Sequence, residues 1–149
     1  MAAGKSDSAD AVPQSEQLNK RKMIEFYNSY IRAINEGPSE AALSRFVRPE
    51  VTHNSKGMPL SRYISLITDT SVAFHDMLAH IVDLLVDEEL QLIAAKIEWS
   101  GTLITPLRGV EPNGQSTRFS EMVHYQLESG LIAQVWSVVD WDSFASQTN

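Results

Sequence analysis

The spacing of apolar residues changes once along the chain, from a helical period to a strand period. Apolar side chains recur every three or four residues from Ser15 onward, which predicts a helix that ends at Gly37-Pro38. Ser39 predicts the N-cap of a short second helix that ends before Pro49, and residues 60–74 have the pattern of a third helix. Between them, "EVTHN" predicts a short strand that runs into a turn, "SKGMP".

After His75-Asp76 apolar and polar residues alternate, which predicts four successive strands: "MLAHIVDLLVD", "QLIAAKIEWSGTLI", "STRFSEMVHYQL" and "LIAQVWSVVDW". Helices followed by a run of antiparallel strands are typical of an α+β domain. Residues 1–15 are small, polar and aperiodic and predict a flexible tail, so residues 16–149 are expected to form one domain.

The last hairpin allows a prediction of which side chains share a face. If Ser129-Gly130 is a two-residue turn, counting outward places Phe119 opposite Asp140. One face then carries two carboxylates, Glu121 and Asp140, among aromatic and aliphatic side chains that include Trp136. The other face carries Met122, Val135, Val139 and Trp141, and a bulge would reverse part of this assignment.

Composition limits the classes of function. The 149 residues are 43% hydrophobic and 21% charged, as in ordinary globular proteins, and the net charge of −7 argues against nucleic acid and anionic membranes as partners. Without cysteine the chain has no disulfide and no thiolate zinc ligand, and its four histidines form no metal-ligand pattern. It has no apolar run of about 20 residues and no signal-peptide core, so we expect a soluble, cytoplasmic protein.

Several residues in the second half of the chain occur in a familiar order and spacing. They are Phe74, Asp76, Trp99, Gly101-Thr102, Gly114, Gly130-Leu131-Ile132, Trp136 and Asp140. In these marks the chain resembles the SnoaL-like polyketide cyclase family of the nuclear-transport-factor-two-like superfamily, over roughly residues 17–145. Leu131 departs from the lysine usual in the family, and we expect that position to be exposed and unimportant to chemistry.

The resemblance implies a cone-shaped domain in which a curved antiparallel sheet wraps around the N-terminal helices and leaves an internal pocket. It also implies a homodimer formed through the outer sheet face and chemistry without a metal or organic cofactor. In the cyclases, an aspartate at the position of Asp140 acts as acid and base in ring closure by aldol chemistry. The superfamily also contains steroid isomerases, epoxide hydrolases, dehydratases, fungal isomerases of terpenoid or alkaloid intermediates, and non-catalytic proteins.

Three titratable residues are candidates for catalysis. Asp140, if desolvated between Trp136 and Phe119, would have a raised pKa suited to proton transfer, whereas in the alternative it caps the turn before Ser143. Glu121 could share protons with Asp140 or face solvent beside a bulge. His53 could shuttle protons at the pocket rim or be a structural histidine.

An apolar substrate needs an apolar wall, for which the candidates are Trp99, Trp136, Tyr63, Phe74 and Phe119. Their alternative role is to fill the core. The carboxylates beside tryptophan, together with what the resemblance implies, therefore favour a cofactor-independent isomerase or cyclase acting on a hydrophobic secondary-metabolite intermediate, a polyketide, terpenoid or alkaloid. Aldol cyclisation, double-bond isomerisation, epoxide opening and rearrangement stay open as the reaction, and the alternative function is a non-catalytic small-ligand-binding or dimerisation domain.

Overall fold

A computed structural model describes residues 17–148, so the predicted tail lies outside the described residues. The elements are α1 (Lys20–Glu36), α2 (Glu40–Leu43), β1 (Val47–His53), β2 (Lys56–Pro59), α3 (Leu60–Ser71), β3 (Phe74–Asp87), β4 (Leu92–Leu103), β5 (Ser116–Glu128), β6 (Leu131–Val139) and α4 (Trp141–Thr148). This order, helices at the N-terminal end and long strands after them, confirms the predicted α+β class.

The helices begin and end where capping chemistry predicts. The side chain of Asn19 accepts a hydrogen bond from the Lys22 amide at 2.8 Å and starts α1, and Gly37 ends it with a φ of 119° that few other residues adopt. Ser39 caps α2 through a 3.1 Å bond from the Ala42 amide, as predicted. One face of α1 buries four residues against the sheet: Met23, Tyr27, Tyr30 and Ile31.

The six strands form one open sheet in the order β2-β1-β6-β5-β4-β3. The four long strands pair antiparallel as predicted, but β1 runs parallel to β6, so the whole sheet is mixed. Residues 56–59, predicted as part of a turn, form β2, because Asn54 and Ser55 make the reversal with positive φ. Pro49 lies within β1 rather than after a helix. The pairing of β1 with β6 is irregular between Val47 and Thr52, so a proline, which has no backbone N–H to donate, is tolerated there.

A bulge in β6 overturns the register predicted for the last hairpin. The turn at Ser129-Gly130 and the pairing of Leu127 with Ile132 are as predicted, but Gln126 then pairs with Gln134, which leaves Ala133 as an extra residue. Beyond this point every pairing is shifted by one residue, so that Glu121 lies opposite Val139. The inward residues of β6 are therefore Val135, Ser137 and Val139, and those predicted to face inward turn outward.

The first helix also forms hydrogen bonds to the free edge of β3. The side-chain amide of Asn35 donates to the Ala79 carbonyl at 2.9 Å and accepts from the Ala79 amide at 2.8 Å, as a neighbouring strand would. The chain thus encloses a space between α1, α3 and the inner face of β4, β5 and β6, and this space holds the candidate site.

Candidate active site

A cavity of about 420 Å³ lies between the inner sheet face and the helices α1 and α3. Its wall is mostly aliphatic and aromatic, and its polar groups are few, which is the usual composition of a small-molecule site. The lining residues are Tyr30, Ile31, Ile34, His53, Tyr63, Leu66, Ile67, Thr70, Met77, Ile97, Trp99, Arg108, Phe119, Glu121, Val123, Tyr125, Val135, Ser137, Val139 and Trp141.

Glu121 is the carboxylate of this cavity. It lies on the inner face of β5, where its Oε1 accepts a hydrogen bond from Trp99 Nε1 at 2.9 Å. Its Oε2 accepts a second hydrogen bond from the Ser137 hydroxyl. Burial raises the pKa of Glu121 above its ordinary value, and the two hydrogen bonds partly offset this rise. The group is thereby fixed in place, and the rise in its pKa makes the carboxylate a stronger base than an ordinary glutamate.

All four tyrosines of the chain contact one another in the core, and three of them, Tyr30, Tyr63 and Tyr125, line the cavity. Their hydroxyls form two pairs, Tyr30 with Tyr63 at 2.6 Å and Tyr27 with Tyr125 at 2.9 Å. Burial raises the pKa of Tyr63, and the nearby negative charge of Glu121 adds to that rise. The tyrosines are therefore neutral donors, and each pair shares one hydrogen bond and keeps a second proton for another acceptor.

His53 ends β1 and lines the same cavity, with its ring centroid 6.0 Å from that of Tyr63. Burial lowers the pKa of His53, so the imidazole is neutral at pH 7. A neutral imidazole can accept a proton or donate one, which keeps His53 within reach of acid/base chemistry.

The last two polar features of the lining are Arg108 and Trp141. The guanidinium carbon of Arg108 lies 4.6 Å from the centroid of the Trp141 ring, a cation–π arrangement. Trp141 in turn stacks on Phe119 at 5.3 Å. No local sequence pattern points to Arg108, because its place in the site depends on contact with Trp141, which lies far from it along the chain.

The chain matches the sequence pattern of SnoaL-like polyketide cyclases over residues 23–148. It belongs to this family. The family supports an enzymatic role of the cyclase or isomerase type in general. No curated protein sequence matches the chain.

Solved structures agree with the fold of this SnoaL-like chain. A SnoaL-like polyketide cyclase from Agrobacterium tumefaciens is 25% identical, with a TM-score of 0.76 over 85% of this chain and 98% of its own. TsrD from Streptomyces laurentii is 21% identical, with a TM-score of 0.77 over 89% and 98% of the two chains. IdmH from Streptomyces antibioticus, a candidate polyketide cyclase, is 18% identical, with a TM-score of 0.74 over 84% and 96%. The last two likenesses establish the fold alone.

The residues predicted for the site divide into two groups in this SnoaL-like chain. Glu121, His53, Trp99, Tyr63 and Phe119 all line the cavity. The remaining three predicted residues lie elsewhere, each for a reason that the fold supplies.

Asp140 does not share a face or a cavity with Glu121, contrary to the predicted register. It is exposed, and its Oδ1 accepts a hydrogen bond from the Ser143 amide at 3.1 Å, which caps α4. The bulge at Ala133 is the cause, because it turns every later residue of β6 to the opposite face. Asp140 therefore has the capping role that the sequence also predicted as the alternative to catalysis.

Two of the predicted wall residues are also outside the cavity. Trp136 is turned to the outer sheet face by the same bulge and is half exposed. Phe74 is buried behind the wall, where its ring stacks on Phe119 at 5.9 Å and meets Phe144. It is a core residue that supports the wall, since it does not line the cavity.

The outer face of the sheet carries a larger and more open groove of about 830 Å³. Its floor has two cross-strand rows, Leu85–Ala94–His124–Trp136 and Asp83–Lys96–Met122–Val138. We place the candidate site in the smaller cavity because that is where Glu121, the tyrosines and His53 converge. Of the face predicted for dimerisation only Met122 lies here, since Val135, Val139 and Trp141 line the cavity instead.

Two further properties concern residues 17–148 only. No group of three or more histidine, aspartate or glutamate side chains in this part of the chain is arranged to hold a metal ion. Each helix in the same range is too short or too polar to span a bilayer.

Proposed function

We propose that the protein is a cofactor-independent isomerase or cyclase that moves a proton on a hydrophobic biosynthetic intermediate by means of Glu121. One observation carries this proposal: the carboxylate of Glu121 is buried in an apolar cavity and held by Trp99 and Ser137. A surface carboxylate needs no such support, and buried titratable groups in clefts are enriched at functional sites.

The reaction that fits this arrangement begins at a carbon next to a carbonyl group. The carboxylate of Glu121 takes the proton, and the electron pair of the broken C–H bond forms an enolate. The enolate then either takes the proton back at another carbon, which is an isomerisation, or attacks a second carbonyl, which closes a ring in an aldol step. In the second case the protonated Glu121 returns its proton to the new alkoxide.

A tyrosine hydroxyl is the natural partner of the enolate oxygen in this mechanism. Tyr63 lines the same cavity as Glu121, and its bond to Tyr30 leaves the pair a second proton to donate. A preorganised neutral donor of this kind stabilises charge that develops on the oxygen. His53, neutral on the cavity wall, is the second candidate for proton transfer.

We also propose that the protein is a homodimer formed through the outer sheet face. Met122, Trp136 and Val138 are exposed side by side on that face. A patch of this kind is unfavourable in water and usually marks an interface. Pairing two copies through the same patch satisfies two-fold symmetry and leaves both cavities open on the other side of the sheets.

Proton abstraction can be tested without knowing the natural substrate. The probe is 1-tetralone, a bicyclic ketone with an exchangeable C–H bond, incubated with the protein in D₂O. We expect the wild type to accelerate deuterium incorporation, measured by mass spectrometry, and Glu121→Gln to lose this acceleration. If the wild type binds the ketone but its C–H bond exchanges no faster than in buffer, the result would favour a non-catalytic binding domain over an enzyme.

A further inference from the structure

Arg108 occupies a backbone position that disfavours arginine. It is the first central residue of a tight turn closed by two hydrogen bonds, from the Leu107 amide to the Val110 carbonyl at 3.0 Å and from the Val110 amide back at 2.9 Å. Arg108 and Gly109 have φ values of 50° and 80°, as in a type I′ turn, where Asn-Gly is preferred. An unfavourable residue kept at a strained position suggests that its side chain has a use.

The turn is anchored so that this side chain reaches the cavity. Val110 is buried and Leu107 packs beside it in the cluster around Phe119 and Phe144. The guanidinium of Arg108, between these anchors, stacks on Trp141, and both residues line the cavity. The turn therefore holds a planar cation against the aromatic side of the pocket wall.

This cation has no protein counter-ion in the described part of the chain. The ion pairs found within residues 17–148 do not include Arg108, whereas Arg21, Arg62 and Arg118 each have a carboxylate partner. A guanidinium is always protonated and offers five N–H donors. The other ionisable side chains of the lining, besides the tyrosines, are His53 and Glu121, and neither forms an ion pair with Arg108 within the described residues.

We propose that Arg108 binds a negatively charged oxygen group of the substrate, so that the protein selects anionic fused-ring compounds over neutral ones of the same size. The inference rests on the proposed function in that the cavity is taken as the substrate site. The aromatic wall accepts the rings, and the guanidinium receives a carboxylate or enolate oxygen beside Trp141. An overall charge of −7 repels such a ligand, which makes a local cation necessary.

A matched pair of probes tests this selectivity. The compounds are 2-naphthoate and 2-naphthamide, which have the same ring system and nearly the same size but differ in charge, and their Kd values are measured by ligand-observed NMR titration. Arg108→Asn removes the cation and creates the preferred turn sequence, so the melting temperature should stay the same or rise. Arg45→Asn is the control, because Arg45 also lies over an aromatic ring, that of Phe46, but outside the cavity.

We expect the wild type and the Arg45→Asn variant to bind naphthoate roughly 3- to 10-fold more tightly than naphthamide, and Arg108→Asn to lose this preference. The preference should also shrink as salt is added. Equal binding of the two probes by the wild type, or no binding of either at millimolar concentration, overturns the proposal. Loss of the preference in the Arg45→Asn control overturns it too. Equal binding together with normal deuterium exchange would refute the role of Arg108 and leave that of Glu121 intact.

Discussion

Trp99 Nε1 donates a hydrogen bond of 2.9 Å to the carboxylate of Glu121 across two neighbouring strands. The two residues are diagonal neighbours on the inner sheet face, because Trp99 pairs with Phe119 and Glu121 pairs with Ile97. The indole thus serves both as a wall of the cavity and as the group that orients the carboxylate. This double role explains why a tryptophan, rather than a purely apolar side chain, lies at this position.

The two carboxylates that the sequence proposed for catalysis are expected to behave differently. Glu121→Gln keeps the size and an acceptor for Trp99 but removes the proton-transferring group, so turnover should fall about 10²- to 10⁴-fold. Asp140→Asn keeps the cap of α4 and should leave turnover unchanged, while Asp140→Ala should cost about 1 kcal/mol of stability. Rates and thermal melts of the same preparations distinguish the cases. A folded Asp140→Asn variant without activity would restore the hypothesis drawn from the sequence.

The raised pKa of Glu121 predicts how activity and stability depend on pH. Only the ionised form acts as a base, so the rate should rise with pH through a value above the ordinary 4.5. Stability should change in the opposite direction. Between 4.5 and the raised pKa, the folded protein holds a proton that the unfolded chain releases, so the free energy of unfolding declines as pH rises through this window.

Glu121→Gln supplies the control for this pH dependence. The variant has no titrating group at the position, so this part of the decline in stability should disappear from denaturant titrations carried out at a series of pH values. Curves for the two proteins that stay parallel at every pH would show that Glu121 titrates alike in the folded and unfolded states.

The proposed dimer predicts different effects for two valines of similar exposure. Val138, 72% exposed, lies on the outer sheet face, and Val72, 68% exposed, lies at the end of α3. Val138→Glu should place like charges across the two-fold axis and convert the dimer into a 16.6 kDa monomer, whereas Val72→Glu should leave the assembly unchanged. Light scattering at micromolar concentration reads the mass directly. A monomeric wild type would refute the proposed interface.

A side chain at Gly101 is expected to crowd the neighbouring strand β3. A Cβ added there would lie 3.2 Å from the backbone Cα of Met77 and 3.2 Å from a ring carbon of Phe74, so β3 would have to move. Gly101→Ala should therefore destabilise the protein by about 1–3 kcal/mol. Gly57→Ala is the matched control, because it meets nothing within 4 Å. Urea titrations of both variants measure the difference, and equal midpoints would contradict the close approach of β3.

The sequence allowed the position of Glu121 to be predicted but not that of Asp140, and the reason is the bulge in β6 between the turn and Asp140. Glu121 lies on β5, whose alternation is unbroken, so its inward face follows from Trp99 and Val123. On β6, Ile132 and Ala133 are both apolar and both buried, and nothing in "LIAQV" shows which of them is the extra residue. A single such residue exchanges the two faces of the strand.

Other parts of the site depend on contacts that local patterns do not reveal. The hydroxyl pairs of the tyrosines join residues 33 and 98 positions apart, and each tyrosine alone has the pattern of a core residue. The last strand was predicted to extend to Trp141, which instead begins the short helix α4, and the Asp140–Ser143 cap was the alternative for this end of the strand. Helix and strand patterns are difficult to distinguish over so few residues.

The parallel pairing of β1 with β6 has a consequence for biosynthesis. His53 pairs with Val135, so the strand that holds the β1–β2 hairpin in the sheet is synthesised only after β3, β4 and β5. Contacts so distant in sequence form slowly, because a long loop must close before they are made. During translation α1, α3 and the β1–β2 hairpin thus have no complete sheet to cover them. A nascent chain that stalls before Leu131 therefore exposes apolar surface, which chaperones can bind and through which the chain can aggregate.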